Sequence, residues 1–384
     1  MPKDAGSVAQ ALPSFNTPQR LGSAYPMLQC PPDSFRNLAS EGIQMDFGIF
    51  TMFSARESLT QHEIFQEWFD LVQVAEESGI DTFWLGESHF RPNRAMLASP
   101  LIGASAVASR TQRMQVGLAV QVLPLANPIR IAEEAAIVDH ISEGRLVFGV
   151  GRSSFIESYN GYNVDYGESR ARFLESLEII QGAWGSDDFS YHGEYFDFDD
   201  VNLVPKPYQT PHPPIRVAVE SRDTFRLVGD MGFPIFMRHQ MEISELQDLL
   251  QEYEERRHNA GGSGPNDVIL QLACYVADTE QAALHEPEAS TMRQRRLVAE
   301  ALNAAADEEA YERLKKISET TYEDVLTRVI YGTPEMVVER INQYKEDLGI
   351  TGVSLDINPG GQVPYDRVVN SMKLLTEKVM PQFK

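Results

Sequence analysis

The sequence predicts a (β/α)8 TIM-like barrel, an α/β fold in which eight parallel strands each lead into a helix. Three observations predict it. Strand-like and helix-like segments alternate along the chain, the strand-like segments are apolar on both faces, and eight such pairs fit within residues 45–384. A doubly wound open sheet is the alternative, because its strands are buried in the same way and only closure of the sheet separates the two folds.

The first half of the domain holds four of these pairs. The segment MDFGIFTMF, from Met45, has the apolar alternation of a strand. Apolar residues then recur at intervals of three and four from Gln61 to Ser78, which predicts an amphipathic helix that ends at Gly79. Three further strands, IDTFWLGE, MQVGLAVQVLP and RLVFGVG, precede helices predicted over residues 100–110, 129–141 and 168–184.

The second half opens with a predicted β-hairpin insertion over residues 189–203. The strands IRVAVE, FPIFM, DVILQLACYVA and ITGVSLDIN then precede helices predicted over residues 223–231, 243–259, 334–348 and 364–379. A long charged stretch, Thr279 to Arg328, separates the seventh strand from its helix. We expect it to be a helical lid that excludes water from an active site, and an exposed pair of helices is the alternative.

The amino-acid composition limits the classes of protein to which this chain can belong. Of the 384 residues 42% are hydrophobic and 23% charged, which is typical of a globular protein with a large core. The formal net charge of −23 makes nucleic acid and anionic membranes poor partners. No apolar run predicts a transmembrane helix, and the N-terminus lacks a signal-peptide pattern. The two cysteines, Cys30 and Cys274, predict no disulfide framework, so we expect a cytoplasmic protein.

Residues 1–44 differ from the rest of the chain. They are rich in proline, serine, glutamine and asparagine and show no sustained periodicity. This composition predicts a loosely ordered N-terminal extension that precedes a barrel domain over residues 45–384. A strap that packs against the domain is the alternative.

Polar residues follow the predicted strands at the ends where a (β/α)8 barrel places its active site. They are Glu87, Ser88 and His89 at the end of the second strand, Gln121 near the end of the third with Asn127 close by, Arg152 and Ser153 after the fourth, Glu220, Ser221 and Thr224 at and after the end of the fifth, Arg238 and His239 after the sixth, and Asn358–Gly361 after the eighth. We therefore expect them to surround one mouth of the barrel. Strand ends that fray into solvent are the alternative.

The residue types at this mouth favour an anion over a metal. No carboxylates and imidazoles have ligand spacing, so we expect no metal site. Arg152, Ser221 and Thr224 are phosphate-binding residue types, and the last two begin a predicted helix whose N-terminal amides attract an anion. The backbone of Asn358–Gly361 is a competing phosphate site. The segment Gly149–Ser154 lacks the last glycine of a dinucleotide-binding fingerprint, which makes a Rossmann interpretation weak.

Several motifs, in order, resemble those of the bacterial luciferase-like flavin-dependent monooxygenases. IDTFWLGESHF resembles the family's FDTVWLxEHHF, and Val116–Glu133 resembles VGxAxxVLPxxxPxRxAE. Gly144–Ser153 resembles GRxxFGxxRG, with Ser153 in place of the last glycine, and Pro213–Ser221 resembles PPIxVAxES. The resemblance covers nearly the whole chain from Met45, and many independent motifs make it specific.

The resemblance implies an enzyme that uses FMN, reduced by a separate flavin reductase, and O2 to oxygenate a small organic substrate. It implies a homodimer as well. Matched position by position, Arg152, Ser221 and Thr224 hold the phosphate, and Glu220 lies in the same cofactor site. Ala119 and Val120 match a bond that can be cis beneath the flavin ring, and Asn127 matches a contact at the ring edge. Glu87 and His89 line the mouth.

One departure affects the chemistry. Ser88 stands where the family has the first of two histidines, and serine is no base near neutral pH. His89 and His239 are the candidates for a catalytic base, and structural histidines are the alternative. We expect a monooxygenase, with two alternatives: a deazaflavin-dependent hydride-transfer enzyme, and a non-catalytic flavin-binding subunit. Apolar residues predicted at the mouth, Met52, Phe53, Phe90 and Phe155, suggest a partly apolar substrate.

Overall fold

Eight parallel strands close into a barrel because the last strand of the chain pairs with the first. The structure, a computed structural model, describes residues 44–239, 241–262, 267–300 and 308–384. The extension predicted over residues 1–44 therefore lies outside the described residues, apart from Gln44. Closure confirms the predicted (β/α)8 barrel and excludes the open sheet.

The strands, in chain order, are β1 (Asp46–Thr51), β2 (Thr82–Leu85), β3 (Gln115–Leu118), β4 (Gln121–Val122), β5 (Leu146–Gly151), β6 (Phe189–His192), β7 (Asp197–Val201), β8 (Ile215–Val219), β9 (Ile235–Arg238), β10 (Val268–Val276), β11 (Ile330–Gly332) and β12 (Gly352–Asp356). The barrel order is β1, β2, β3 with β4, β5, β8, β9, β10 and β12. Every pairing within it is parallel.

The helices are α1 (Gln61–Ser78), α2 (Pro100–Ala108), α3 (Pro128–Ile141), α4 (Ile156–Gly161), α5 (Ser169–Gly185), α6 (Arg222–Met231), α7 (Ile243–Asn259), α8 (Glu280–His285), α9 (Glu288–Ala299), α10 (Glu308–Glu319), α11 (Tyr322–Leu326), α12 (Pro334–Leu348) and α13 (Tyr365–Leu374). The predicted end of α1 at Gly79 is confirmed, and a capping box that was not predicted begins the same helix. Thr60 and Glu63 form a capping box at α1, and Gly79 ends that helix in the left-handed conformation.

The structure departs from the predicted elements in three places. The third predicted strand is split into β3 and β4 by a cis peptide bond between Ala119 and Val120. The short helix α4 and the strand β11 were not predicted. The charged stretch before β11 is divided into α8, α9, α10 and α11, with residues 301–307 outside the described part.

The core has two layers. Most buried apolar side chains lie between the barrel and its helices. A smaller group fills the inside of the barrel, around Trp84 of β2. Gly48 on β1 and Gly117 on β3 make room for this indole, because a Cβ at either position would lie 2.3 Å or 2.2 Å from a Trp84 ring atom. Packed side chains, rather than a channel, therefore fill the barrel below the mouth.

Two further features lie outside the barrel. The strands β6 and β7 pair antiparallel as a two-stranded sheet in the segment predicted to be a hairpin. Across the described residues, we find no helix whose length and apolar character would let it cross a membrane.

Candidate active site

Glu87 is the centre of a buried hydrogen-bond network just beyond the carboxyl end of β2. One carboxylate oxygen, Oε1, lies 2.6 Å from Nε2 of His89. The other, Oε2, accepts hydrogen bonds from the Gln121 side chain (2.7 Å) and from the Val122 backbone N–H (2.9 Å). Burial raises the pKa of Glu87, and the hydrogen bonds from His89 and Val122 offset part of this effect. The mouth thus holds a carboxyl group fixed by three partners.

His89 connects this carboxyl group to a tyrosine nearer the surface. Its Nδ1 lies 3.2 Å from the hydroxyl of Tyr162, and the two rings meet edge to face. Side-chain exposure of His89 is only 6%, whereas Tyr162 is 45% exposed. Phe90 packs against both rings, and Gly161 allows this contact because a Cβ there would lie 2.0 Å from the Phe90 ring. Glu87, His89 and Tyr162 form a continuous path from the buried acid to the protein surface.

Two buried polar atoms beside this path have no hydrogen-bond partner among the described residues. They are Oγ of Ser88 and Oε1 of Gln121. Buried polar atoms without partners are costly, so such atoms at a strand end are candidates for contact with a ligand.

The cis peptide bond of Ala119 and Val120 lies at the same mouth. The Ala119 backbone N–H donates to the Leu85 carbonyl at the end of β2. Gly149 on β5 permits this close backbone packing, since a Cβ there would lie 1.7 Å from the Leu118 carbonyl oxygen. The structure therefore places Ala119 and Val120 where the sequence predicted them, and their contact with a flavin stays a prediction.

The predicted phosphate residues lie at neighbouring strand ends. Arg152 follows β5 and extends to Oγ of Ser169, 3.4 Å from its Nη1. Ser221 and Thr224 share a 2.9 Å hydrogen bond between their hydroxyls at the start of α6. Ser221 is the N-cap of that helix, but its side chain makes no capping hydrogen bond. Its hydroxyl and the first-turn amides of α6 are thus positioned to receive an anion.

Two other predicted cofactor residues have contacts of their own. The Asn127 side chain caps α3, because its Oδ1 accepts from the backbone N–H groups of Ile129 and Arg130. Glu220 is exposed and lies 3.8 Å from Arg238, the last residue of β9. Their roles as cofactor contacts remain predictions.

His239 lies in a different environment from His89. Its Nδ1 is 3.1 Å from the hydroxyl of Tyr344 on α12, and the two rings pack edge to face. Burial, followed by the charges of Arg328 and Arg340, lowers the pKa of His239 to about 4. These contacts involve the outer helix α12 and not the Glu87 network, and the catalytic roles of His89 and His239 remain predictions.

Sequence reasoning missed two arginines at the mouth. Arg91 and Arg94, in the loop between β2 and α2, place their guanidinium carbons 4.7 Å and 4.5 Å from the centre of the Phe155 ring. Nη1 of Arg91 and Nε of Arg94 are buried without a hydrogen-bond partner among the described residues. The only signal in the sequence is RPNR directly after the strand-end motif, which also fits an exposed loop.

The helix α9 lies against the loops at the mouth. The Arg293 guanidinium on α9 donates to the backbone carbonyls of Gly360 (2.8 Å) and Asn93 (2.9 Å). Gln294 donates to the carboxylate of Asp356 at the end of β12, at 3.1 Å. Arg91 in turn donates to the carbonyl of Leu297. The helix therefore contacts the loops that follow β2 and β12.

Two expectations for this region are wrong. The backbone of Asn358–Gly361 is not open to a phosphate, because α9 covers it: Ser290 donates to the Pro359 carbonyl, and a Cβ on Gly360 would lie 1.9 Å from the Ser290 carbonyl oxygen. Phe53 does not line the mouth, since it is fully buried against Trp68 and neighbouring aromatic rings of α1.

Potential metal ligands cluster elsewhere. Among the described residues, His192, Asp197 and Asp199 form the one group of three whose ligand atoms lie within 4.8 Å of one another. They are exposed on the β6–β7 hairpin, away from the strand ends that carry Glu87 and His89.

Comparison with known proteins identifies the family. Residues 45–352 match the luciferase-like monooxygenases. The chain belongs to this family. This luciferase-like chain is 25% identical over 352 residues to the oxygenase component of a flavin-dependent trigonelline monooxygenase of Acinetobacter baylyi, covering 88% of our chain and 96% of that protein. It is also 25% identical over 357 residues to an alkanal monooxygenase alpha chain of Photorhabdus luminescens, covering 88% and 97%.

Solved structures share the fold of this luciferase-like monooxygenase. The monooxygenase RslO1 of Streptomyces bottropensis superimposes with a TM-score of 0.78 at 24% identity, covering 88% of our chain and all of that one (100%). The oxygenating constituent of 3,6-diketocamphane monooxygenase of Pseudomonas putida, solved with FMN, gives 0.76 at 19% identity, covering 88% and 99%. An F420-dependent secondary alcohol dehydrogenase gives 0.70 at 16%, covering 89% and 99%.

Proposed function

We propose that this chain is the oxygenase component of a two-component monooxygenase. It takes up reduced FMN from a separate flavin reductase and uses O2 to oxygenate a small, partly apolar organic substrate. The observation that carries the proposal is the hydrogen-bonded path that runs at the mouth from buried Glu87 through His89 to the exposed Tyr162. Membership of the luciferase-like family supports it as well.

The residues at the mouth fit a flavin. Arg152, Ser221 and Thr224 provide a guanidinium, two hydroxyls and a helix N-terminus for a phosphate. Ser88 and Gln121 provide a hydroxyl and a side-chain carbonyl, both buried and without partners among the described residues, for the polar edge of a ring. When bound, reduced FMN supplies the two electrons that the reaction of O2 requires.

His89 holds a proton at the site. In the neutral tautomer with a proton on Nε2, His89 donates to Glu87, and its Nδ1 accepts from the Tyr162 hydroxyl. When Nδ1 takes the proton of the Tyr162 hydroxyl and Nε2 passes its own proton to Glu87, His89 remains neutral, Tyr162 regains a proton from solvent, and Glu87 holds the transferred proton at the mouth. This arrangement gives His89 the acid–base role that Ser88 cannot perform.

The helix α9 excludes water from the mouth. Its contacts with the loops after β2 and β12 hold it across the strand ends, and its movement away from these loops would admit reactants. This is the function expected of the lid.

An Arg152→Ala substitution tests the cofactor assignment. We expect it to weaken the binding of FMN by roughly tenfold or more, because a charged hydrogen bond to the phosphate is lost, and to leave riboflavin binding almost unchanged. Fluorescence titration measures both affinities. Equal losses for FMN and riboflavin would refute the assignment of Arg152 to the phosphate.

Ser88, which is no base, keeps open the alternative of a non-catalytic flavin-binding subunit. A second candidate function is hydride transfer with a deazaflavin, the cofactor class of the F420-dependent structural neighbour. A chain that binds a reduced deazaflavin more tightly than reduced FMN, and that does not react with O2, would favour this function. A chain that binds either flavin but turns nothing over would be a non-catalytic subunit.

We further propose that the chain forms a homodimer through α2 and α3. The two helices pack against each other, yet they expose apolar side chains. Ile102 on α2 is 71% exposed, and Ile137 and Ile141 on α3 are 45% and 41% exposed. A second copy of this chain would cover such an apolar face.

A further inference from the structure

We propose that Arg293 on α9 is a positioning residue, which couples closure of the lid to the arrangement of the Glu87–His89 network. The inference rests on the proposed function, because it assigns this side chain a role in that reaction. It adds a specific consequence to the contacts of α9: the loop after β2, which carries His89, is fixed at its tip only while α9 lies against the mouth.

The Arg293 guanidinium is buried between three loops at the mouth. Its side chain is 9% exposed, and its Nη2 donates to the carbonyl of Asn93 in the loop after β2, at 2.9 Å. Its Nη1 donates to the carbonyl of Gly360 after β12 (2.8 Å) and, at 3.4 Å, to that of Ala55 after β1. Because the donors of a guanidinium form a rigid fork, one side chain of α9 fixes these three carbonyls relative to one another.

Nε of the same guanidinium faces a carboxylate. It lies 2.8 Å from Oε1 of Glu57, whose side chain is 72% exposed. An ion pair with an exposed acid is screened by water and contributes little. The buried charge of Arg293 therefore depends on the backbone carbonyls, and it loses all of them together when α9 moves away from the mouth.

The loop after β2 connects the Arg293 contact to the proton path. The Ser88 backbone N–H donates to the Leu97 carbonyl, at 3.0 Å, which closes the loop at its base. Asn93 lies midway between these two residues, and His89 directly follows Ser88. A displacement of Asn93 therefore acts on the short segment of backbone that carries the His89 ring.

The loops after β1 and β12 have ties that do not involve Arg293. The Gln362 side chain donates to the carbonyls of Ala55 (3.0 Å) and Gly360 (3.2 Å), and its backbone N–H donates to Oγ of Ser290 (2.8 Å). These contacts remain when Arg293 is replaced. Loss of Arg293 should therefore loosen the loop after β2 and leave the loop after β12 in place.

Hydrogen exchange of the flavin-free protein, followed by mass spectrometry, tests the coupling without turnover. The reporters are the backbone N–H groups of Ser88, Arg94 and Met96, which donate within the loop after β2 or to the residues after β1. The variants are Arg293→Ala and Arg293→Lys, and the matched control is Arg296→Ala, an exposed arginine of the same helix. Each protein is measured in millimolar guanidinium chloride and in sodium chloride of equal ionic strength.

We expect Arg293→Ala to speed exchange in the loop after β2 by roughly tenfold or more, because the tip of the loop loses a charged hydrogen bond. Lysine keeps the charge but lacks the fork that spans two carbonyls, so Arg293→Lys should show a smaller increase at the same residues. Guanidinium should restore slow exchange in Arg293→Ala, and Arg296→Ala should match the wild type.

Three results would overturn the proposal. In the first, exchange in the loop after β2 is unchanged in Arg293→Lys and in any Arg293→Ala protein that folds, so that Arg293 stabilises at most its own helix. In the second, guanidinium does not reverse the change in Arg293→Ala. In the third, the loop after β12 exchanges faster by the same factor as the loop after β2, which would indicate a general loosening of the mouth.

A second arm tests whether Arg293 acts through His89. Release of H2O2 from protein-bound reduced FMN after mixing with O2 is measured for Arg293→Lys, alone and combined with His89→Ala. We expect Arg293→Lys to slow release when His89 is present and to have no further effect when it is absent. Equal effects in both backgrounds would overturn the proposal. Failure to bind reduced FMN would refute the proposed function and leave the exchange result unaffected.

Discussion

Glu87 shows how one buried residue organises its neighbours. Its two carboxylate oxygens receive hydrogen bonds from His89, Gln121 and Val122, so the ring of His89 is held in one orientation. The second nitrogen of that ring is thereby directed to Tyr162. The acid–base properties proposed for His89 depend on both contacts.

Substitution of His89 tests this network. Formation of H2O2 from the anionic reduced flavin and O2 takes up one proton, so we expect His89→Ala to slow H2O2 release from protein-bound reduced FMN by about tenfold or more. Tyr162→Phe should slow it less, and FMN affinity should stay near wild type in both. An assay of H2O2 after mixing with O2 measures the rates, with His285→Ala, an exposed histidine, as control. Equal rates in all four proteins would make the network purely structural.

The carboxyl group of Asp46, at the opposite end of the barrel, leads to a second prediction, which concerns the pH dependence of stability. Burial and the nearby charge of Asp81 raise the pKa of Asp46 to about 7. One of its oxygens accepts from the Thr82 hydroxyl, and the other is buried without a partner among the described residues. The folded chain therefore binds a proton between about pH 4 and 7 that the unfolded chain has released. Stability contributed by this group is lost as the pH rises through that window.

Asp46→Asn should remove this loss of stability at higher pH. We expect its free energy of unfolding to rise relative to wild type by about 2–4 kcal/mol between pH 5 and 8, because the amide does not ionise. Urea unfolding at both pH values measures the change. The exposed Asp70→Asn serves as control. A difference between variant and wild type that is the same at both pH values would contradict the assignment.

At the scale of elements, α9 depends on the glycine that it covers. Gly360 has a φ of 81°, and a Cβ there would lie 1.9 Å from the backbone carbonyl oxygen of Ser290. Gly349, at the end of α12, has a φ of 60° but nothing within 4 Å of such a Cβ. The two positions thus share a left-handed backbone and differ in contact with α9.

Alanine substitutions at Gly360 and Gly349 separate the effect of contact with α9 from the effect of backbone strain. Gly360→Ala should displace α9 and speed trypsin cleavage after Arg295 and Arg296 by about tenfold or more, because local opening of the helix becomes easier. Gly349→Ala should cost about 1–2 kcal/mol of stability through strain and leave cleavage in α9 unchanged. Mass spectrometry of early digestion products identifies the sites. Similar cleavage in both variants would show that α9 is not held by this contact.

The elements also show where sequence reasoning succeeds. The strands were predictable because both of their faces are buried, so that each is an apolar run between polar ends. The split of the third strand at Ala119 was not visible in its pattern, since MQVGLAVQVLP is apolar throughout; the resemblance alone pointed to it. α9 was predicted as part of a helical stretch, but its contacts with Gly360 join residues far apart in the chain.

In the candidate site, the residues that directly follow strands could be predicted from the sequence. Glu87, His89 and Arg152 follow strands, and parallel strands bring their carboxyl ends to one mouth. Arg94 could not be found in this way, because its contact with the Phe155 ring joins residues far apart in the chain. Phe53 was misplaced for the opposite reason: it lies two residues after β1, yet its ring packs against the rings of α1.

At the scale of the whole molecule, the exposed isoleucines of α2 and α3 predict a dimer. Ile102→Glu together with Ile137→Glu should place charges on the apolar face and convert the dimer into a monomer. Light scattering after size-exclusion chromatography measures the mass. Tyr311→Glu, on the exposed face of α10, is the control. A wild-type monomer, or a double variant that remains dimeric, would exclude this interface.

The central claim is that the mouth of this barrel lets reduced FMN react with O2 in a protected site. Stopped-flow mixing of the protein carrying reduced FMN with oxygenated buffer tests it most directly. We predict a transient absorption spectrum, distinct from reduced and oxidised FMN, that decays more slowly in the wild type than in Gly360→Ala, where α9 is displaced. Direct conversion of reduced to oxidised FMN at the rate of free flavin, or no binding of reduced FMN, would contradict the account.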